Sequence, residues 1–247
     1  MFLHGLGARG NCFGAAQEHF DLDRFTLNFV DFPGFGDSPK PREFSYDMRE
    51  IANWVVRALR SARIERFHLV AHSMGGIVGL LVAAHSDCLP ISLILAEGNL
   101  LPEDAAMSRR IARRSEADFV TMYQRWLSQI PRFFASEPPQ QRAELEESFR
   151  LALPVAVHRA ATSSIAFCDS GTLSDTFESI ECPRAHFVGA KGRPGRRWPV
   201  TANQSLVQRY VLGELGHFLM SDAAKFYTPL AQFIAKHSAA TQVFMPR

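Results

Sequence analysis

The chain has 247 residues, 47% of them hydrophobic and 21% charged, with 27 basic against 25 acidic side chains. That balance suits one globular domain with room for an inserted subdomain, and a core of that size needs no disulfide or metal for support. A net charge of +2 carries no global signal for nucleic acid or a membrane surface, and no apolar run reaches the ~18 residues of a membrane span.

The four cysteines, Cys12, Cys88, Cys168 and Cys182, lie far apart with no paired spacing and read as reduced, structural thiols. With no basic-then-apolar leader at the start, a cytoplasmic location is expected. Oligomeric state is not legible.

Met1-Phe2-Leu3 reads as an apolar strand that meets His4-Gly5 almost at once. A parallel strand usually runs about five to six residues. Either this one is short, or the chain begins downstream of sequence that a relative would carry. Phe25 to Val30 reads as a second strand, ending in the loop Asp31-Phe32-Pro33-Gly34-Phe35-Gly36-Asp37-Ser38. Helical spacing follows from Tyr46 to Ser61, with Met48, Ile51, Ala52, Val55, Val56 and Leu59 on one face. Phe67 to Val70 is a third strand. It runs into the corner Ala71-His72-Ser73-Met74-Gly75-Gly76, and the apolar run Ile77 to Ala84 then reads as a helix. Ile91 to Ala96 is a fourth strand, with Glu97 directly at its end. Strand–helix alternation of this kind implies an α/β fold, a mostly parallel sheet with helices on both faces.

Between Leu100 and Ser179 the pattern turns helical, with Phe119, Met122, Tyr123, Trp126, Leu127 and Ile130 in register and Pro131, Pro138, Pro139 and Pro154 as punctuation. The expected organisation is therefore a core of residues 1–99 and 180–247 with a helical cap over 100–179. Alternation resumes with Ala185 to Val188, then Val207 to Val211, and closes with a helix from about Asp222 to Lys236. Within the cap, Arg109, Arg110, Arg113 and Arg114 recur at helical spacing and read as a solvated face before an anion clamp. Phe119, Tyr123, Trp126, Phe133 and Phe134 read as cap core; any that line a pocket would make part of the substrate apolar.

Ser73 sits at a strand-to-helix corner whose flanking positions, Ala71 and Gly75, are small. A sharp turn there strains the serine backbone, pushes its hydroxyl outward and leaves the next N–H free to meet an oxyanion. Four features fall in one order: His4-Gly5 after the first strand, Asp31-x-Pro33-Gly34-x-Gly36-x-Ser38, the corner at Ser73, and Gly216-His217-Phe218 near the end. Together they resemble the cap-bearing branch of the α/β-hydrolase superfamily, over nearly the whole chain from Met1 to about Ala235. The resemblance implies a serine hydrolase acting on a small ester, thioester or lactone, with Ser73 as nucleophile and His217 as base. The backbone N–H groups of Leu6 and Met74 would form the oxyanion hole.

The acid departs from the common pattern. Relatives carry an aspartate in a Val-Gly-x-x-Asp stretch, which here reads Val188-Gly189-Ala190-Lys191-Gly192, so Gly192 takes its place. Haloalkane dehalogenases set the acid after the strand that follows the elbow, and the matching residue is Glu97. Glu97 is the expected acid, with Asp169, Asp175 or no acid at all as alternatives. His72 is expected to pack in the elbow.

Gly5-x-Gly7-x-x-Gly10 also spells a dinucleotide fingerprint, with Asp31 about where a ribose-binding acid belongs. Against an NAD(P)-binding oxidoreductase stand the short first strand, His4 abutting the first glycine, and Asp31 opening a Pro-Gly loop. A ligand-binding protein on the hydrolase scaffold is the other alternative. No histidine–carboxylate cluster has metal-ligand spacing, and the proposed chemistry needs no cofactor. The expected partner is a small-molecule substrate.

Overall fold

The computed structural model describes residues 1–85, 88–191 and 207–240. Among them, six strands form one parallel sheet: β1 (Phe2–Leu3), β2 (Phe29–Val30), β3 (His68–His72), β4 (Ser92–Ala96), β5 (Arg184–Gly189) and β6 (Val207–Leu212). Their order across the sheet is β2-β1-β3-β4-β5-β6. The strands alternate faces as a pleated sheet must. Leu69, Ala71, Leu93 and Leu95 point into one buried cluster, whereas Val70, Ile94, Ala96, Ala185 and Phe187 point into the other.

Helices α1 (Met48–Ser61) and α2 (Met74–Ala83) cover the first face. Helix α1 starts where the Asp47 carboxylate accepts from the Arg49 N–H at 2.9 Å, and it buries Met48, Ile51, Ala52, Val55, Val56 and Leu59. That is the face the spacing predicts. Helix α2 is buried almost all round, and a Cβ on Gly79 would lie 2.8 Å from the Ala71 methyl, so two small residues bring helix and strand together. The opposite face is covered by a 3-10 segment, Gly10–Glu18, and by α10 (Ala223–Ala240).

The second strand is shorter than the sequence suggests. Among the described residues its only neighbour is β1, itself two residues long, so the ladder stops at the pairs Phe2–Phe29 and Leu3–Val30. Phe25 and Leu27 instead pack against the second cluster as side chains of an irregular segment.

Seven helices lie between Ala106 and Ser179: α3 (Ala106–Ala112), α4 (Glu116–Thr121), α5 (Tyr123–Leu127), α6 (Ile130–Phe133), α7 (Pro139–Leu151), α8 (Pro154–Asp169) and α9 (Thr172–Ser179). No strand interrupts them. Phe119, Tyr123, Trp126, Phe149 and Ala156 join this segment to the cluster under α1 and α2. Among the described residues no single helix is long and apolar enough to cross a membrane. None of the four cysteines is in a disulfide.

Candidate active site

Strands β3 and β4 pair in register through His72 and Ala96, so Ser73 and Glu97 are the next residue on each of two adjacent strands. Both leave their strand with a positive φ, 53° at Ser73 and 51° at Glu97. Such backbone costs of order 1–3 kcal/mol per residue and persists only where the surroundings over-determine it. Here they do. The Ser73 N–H donates to the Ala96 carbonyl at 3.2 Å, the Asn99 N–H to the Ser73 carbonyl at 3.1 Å, and the Glu97 N–H to the Phe187 carbonyl at 2.8 Å. A Cβ on Gly75 would lie 2.5 Å from the His4 carbonyl oxygen and 2.7 Å from that of Leu3, so only glycine lets α2 start this close to β1.

His217 follows β6 in the loop before a 3-10 turn at Leu219–Ser221. Its Nε2 lies 2.9 Å from Ser73 Oγ and its Nδ1 3.3 Å from Glu97 Oε2. The Glu97 side chain is 1% exposed, and its Oε1 accepts from the Gly189 N–H at 2.8 Å. The carboxylate is therefore held at both oxygens, one by backbone and one by the imidazole. Ser73, His217 and Glu97 thus stand in one line of contacts.

The alternative carboxylates are elsewhere. Asp169 is ion-paired with Arg109, Nη1 to Oδ2 3.1 Å, and Asp175 is exposed in the first turn of α9. Gly192 lies outside the described residues.

Leu6 and Met74 both line a cavity of about 510 Å³ that also opens onto Ser73, His217, Met107, Phe133, Phe134 and Phe218. Met74 is the first residue of α2, where backbone N–H groups have no acceptor within the helix and the helix dipole favours negative charge. Of the five aromatic residues read as cap core, Phe133 and Phe134 reach this cavity, whereas Phe119, Tyr123 and Trp126 are buried.

Histidines contribute more than the sequence shows. His72 Nε2 donates to the His217 carbonyl at 3.0 Å, and the two rings stand 4.9 Å apart. Burial first, and the neighbouring His217 second, push the His72 pKa down to about 3. A neutral His72 therefore ties down the loop that carries His217 without adding charge. His4 does similar work on the other side: Nδ1 donates to the Gly5 carbonyl at 2.8 Å, and Nε2 accepts from the Phe32 N–H at 3.1 Å. Burial lowers its pKa to about 4. The periodicity gave no signal for either bond, because a bond between an imidazole and the main chain leaves no pattern in the side-chain order. Asn99 and Glu137 also line the cavity, and burial raises the Glu137 pKa.

The glycine fingerprint at Gly5, Gly7 and Gly10 has other work in this fold. Gly7 has φ 70°, and the Phe149 ring of α7 rests directly where its Cβ would be. Asp31 commits Oδ1 to the Gly10 N–H at 2.6 Å and Oδ2 to the Asp37 N–H at 2.7 Å. The residues after Gly10 form a 3-10 segment in place of the phosphate-binding α-helix that a dinucleotide site uses. Among the described residues no group of three His, Cys, Asp or Glu side chains converges as a metal site would.

A family model described as "Alpha/beta hydrolase family" matches residues 1–228. "Probable lysophospholipase BODYGUARD 4" of Arabidopsis thaliana is 31% identical over 118 residues, 46% of this chain and 28% of that protein. The chain therefore spans less than a third of that relative. Among solved structures, an esterase from Exiguobacterium antarcticum aligns with TM-score 0.72 at 19% identity, over 95% of this chain and 90% of that one. A thermophilic esterase from Thermogutta terrifontis aligns with TM-score 0.71 at 19% identity, over 96% and 89%. At that identity the two structures are like this chain in fold.

Proposed function

The chain belongs to the α/β hydrolase family, and from that premise we propose that it is a serine hydrolase cleaving a small, apolar ester, thioester or lactone through an acyl-enzyme on Ser73. The observation that carries this reading is the unbroken contact line from Ser73 Oγ through His217 to Glu97. We take residues 100–179 as a lid over a core of 1–99 and 180–247, with the substrate between them.

The steps follow from the atoms. Glu97 Oε2 accepts from His217 Nδ1–H and so selects the tautomer whose Nε2 is bare and basic. Ser73 Oγ attacks the carbonyl carbon while its proton moves to His217 Nε2. Charge develops on the carbonyl oxygen, where the N–H groups of Met74 and Leu6 receive it. Each such donor is worth about 10²–10³ in rate in comparable sites. Collapse expels the alcohol or thiol, which takes the proton from Nε2, and a water molecule then repeats the sequence on the acyl-enzyme. The imidazolium formed in passing stands against a buried carboxylate. Leu6, Met107, Phe133, Phe134 and Phe218 offer the acyl or alcohol part an apolar wall.

A fluorophosphonate probe tests the reading directly. It is expected to label wild-type protein at neutral pH and to leave Ser73→Ala unlabelled. Absence of labelling on the wild type refutes the hydrolase and favours a binding protein on the same scaffold.

A further inference from the structure

The arginines of the helical segment do not all face solvent in the same way. Arg109 is held by Asp169. Arg110 of α3, Arg114 just beyond it and Arg125 of α5, all three exposed, instead line a second cavity, about 300 Å³, together with Phe119, Trp126 and Phe133. Among the described residues none of these three guanidinium groups has a carboxylate partner, in contrast with Arg9, Arg109, Arg150 and Arg159. Arg110 lies over the Phe133 ring, 4.6 Å from its centroid, which orients the guanidinium without neutralising it. Phe119 and Trp126 are packed beneath this cavity, 1% and 5% exposed, so the half-buried Phe133 presents the aromatic surface. The Trp126 Nε1 is buried with no hydrogen-bond partner, a donor that lacks an acceptor.

Like charges gathered on an apolar floor repel one another unless an anion sits among them. Guanidinium groups pair with carboxylate or phosphate through two parallel N–H donors, and aromatic walls take the apolar remainder of the same molecule. Arg110 and Phe133 line both this cavity and the one at Ser73, so the two spaces share a wall.

We propose that the outer cavity is a binding site for an amphipathic organic anion, a carboxylate or phosphate on an apolar body, adjoining the Ser73 cavity through Arg110 and Phe133. The anion is either the distal end of the substrate or a separate molecule. Its link to turnover rests on the hydrolase reading; the binding site itself does not.

Titration calorimetry of the full chain with octyl phosphate, below its micelle concentration, tests the site, with octanol as the neutral probe. Ser73→Ala protein is used alongside wild type, so binding is read without turnover. Octyl phosphate is expected to bind both, to weaken as salt rises, and to lose about tenfold or more in affinity in Arg114→Gln and in Arg125→Gln. Arg113→Gln, an exposed neighbour outside the lining, is expected to bind as wild type does. Equal affinity across all three arginine variants, or equal affinity for octanol, overturns the proposal. Octyl phosphate binding in a protein that the fluorophosphonate fails to label leaves the site standing and removes only the hydrolase. With a short neutral ester as substrate, added octyl phosphate that raises KM alone identifies the anion as the substrate's own end. A change in kcat alone identifies a separate molecule.

Discussion

Replacing Glu97 by glutamine is the sharpest test of the contact line, because it changes one atom and keeps the packing. The new amide retains an oxygen for the Gly189 N–H, which in the native protein meets Glu97 Oε1 at 2.8 Å, so the backbone connection survives. What changes is the group 3.3 Å from His217 Nδ1, from an acceptor to an amide donor. A donor there turns the imidazole to the tautomer protonated on Nε2, which cannot take the Ser73 proton. At 3.3 Å and an effective dielectric of about 20, the lost attraction for a passing imidazolium is roughly 5 kcal/mol before screening. About 1.4 kcal/mol is a factor of ten, so kcat is expected to fall by about 10³–10⁴, in line with the loss that a triad amide causes in serine proteases. KM stays near wild type, since Glu97 does not line the cavity. Steady-state hydrolysis of p-nitrophenyl butyrate measures both constants, with thermal melts confirming an intact fold. Activity within about twofold of wild type would show that Glu97 does not orient His217 and would refute the assignment of the acid.

Three further outcomes test the geometry around the site. Ser73→Gly is expected to abolish turnover and to be about 1 kcal/mol more stable to urea than Ser73→Ala, because glycine accepts φ 53° without strain; equal stability refutes stored strain there. Gly7→Ala is expected to cost about 2 kcal/mol or more, since its Cβ would displace the buried Phe149 ring at a positive φ, and a neutral result in chemical denaturation would show that α7 does not rest on this turn. His4 and His72, with pKa values pushed to about 4 and about 3, are taken up as neutral rings on folding. The unfolded chain binds their protons near pH 6.5, so stability falls as pH drops from about 6.5 towards 4, by up to roughly 1.4 kcal/mol per pH unit for each ring. The His4→Gln, His72→Gln double variant is expected to flatten that slope, and an unchanged slope refutes the burial argument.

The helices and central strands were legible because their patterns are local. The Met48 to Leu59 stripe repeats at helical spacing, and the face it marks is the buried one. Ser73, Glu97 and His217 were legible as candidates because each follows a strand, and adjacent parallel strands bring their C-terminal ends together. Their mutual contacts rest on the register of β3 with β4, which no local pattern encodes. The second strand was overread for the same reason: Phe25 to Val30 is apolar enough, but a strand extends only as far as its neighbour, and β1 offers two residues. The glycine fingerprint had to be argued against from its surroundings, because a positive φ and a close approach look alike in sequence whether a phosphate or the Phe149 ring fills the space. The four arginines of the helical segment look equivalent at helical spacing. Asp169 separates Arg109 from the rest, and only the fold brings Arg110, Arg114 and Arg125 to the lining of one cavity.

The bond from the Gly189 N–H to Glu97 carries a consequence for how this chain can change over generations. Gly189 is the last residue of β5, so that strand meets the carboxylate at the end of β4 with a main-chain donor. That donor is tied to its residue: a Cβ on Gly189 would fall on the carbonyl oxygens of Leu215 and Gly216, so any side chain there displaces the loop that leads into His217. Two demands therefore hold residue 189 as glycine, the N–H that meets Glu97 and the room that the Leu215 and Gly216 carbonyls take, so this strand end cannot vary while the loop before His217 keeps its place.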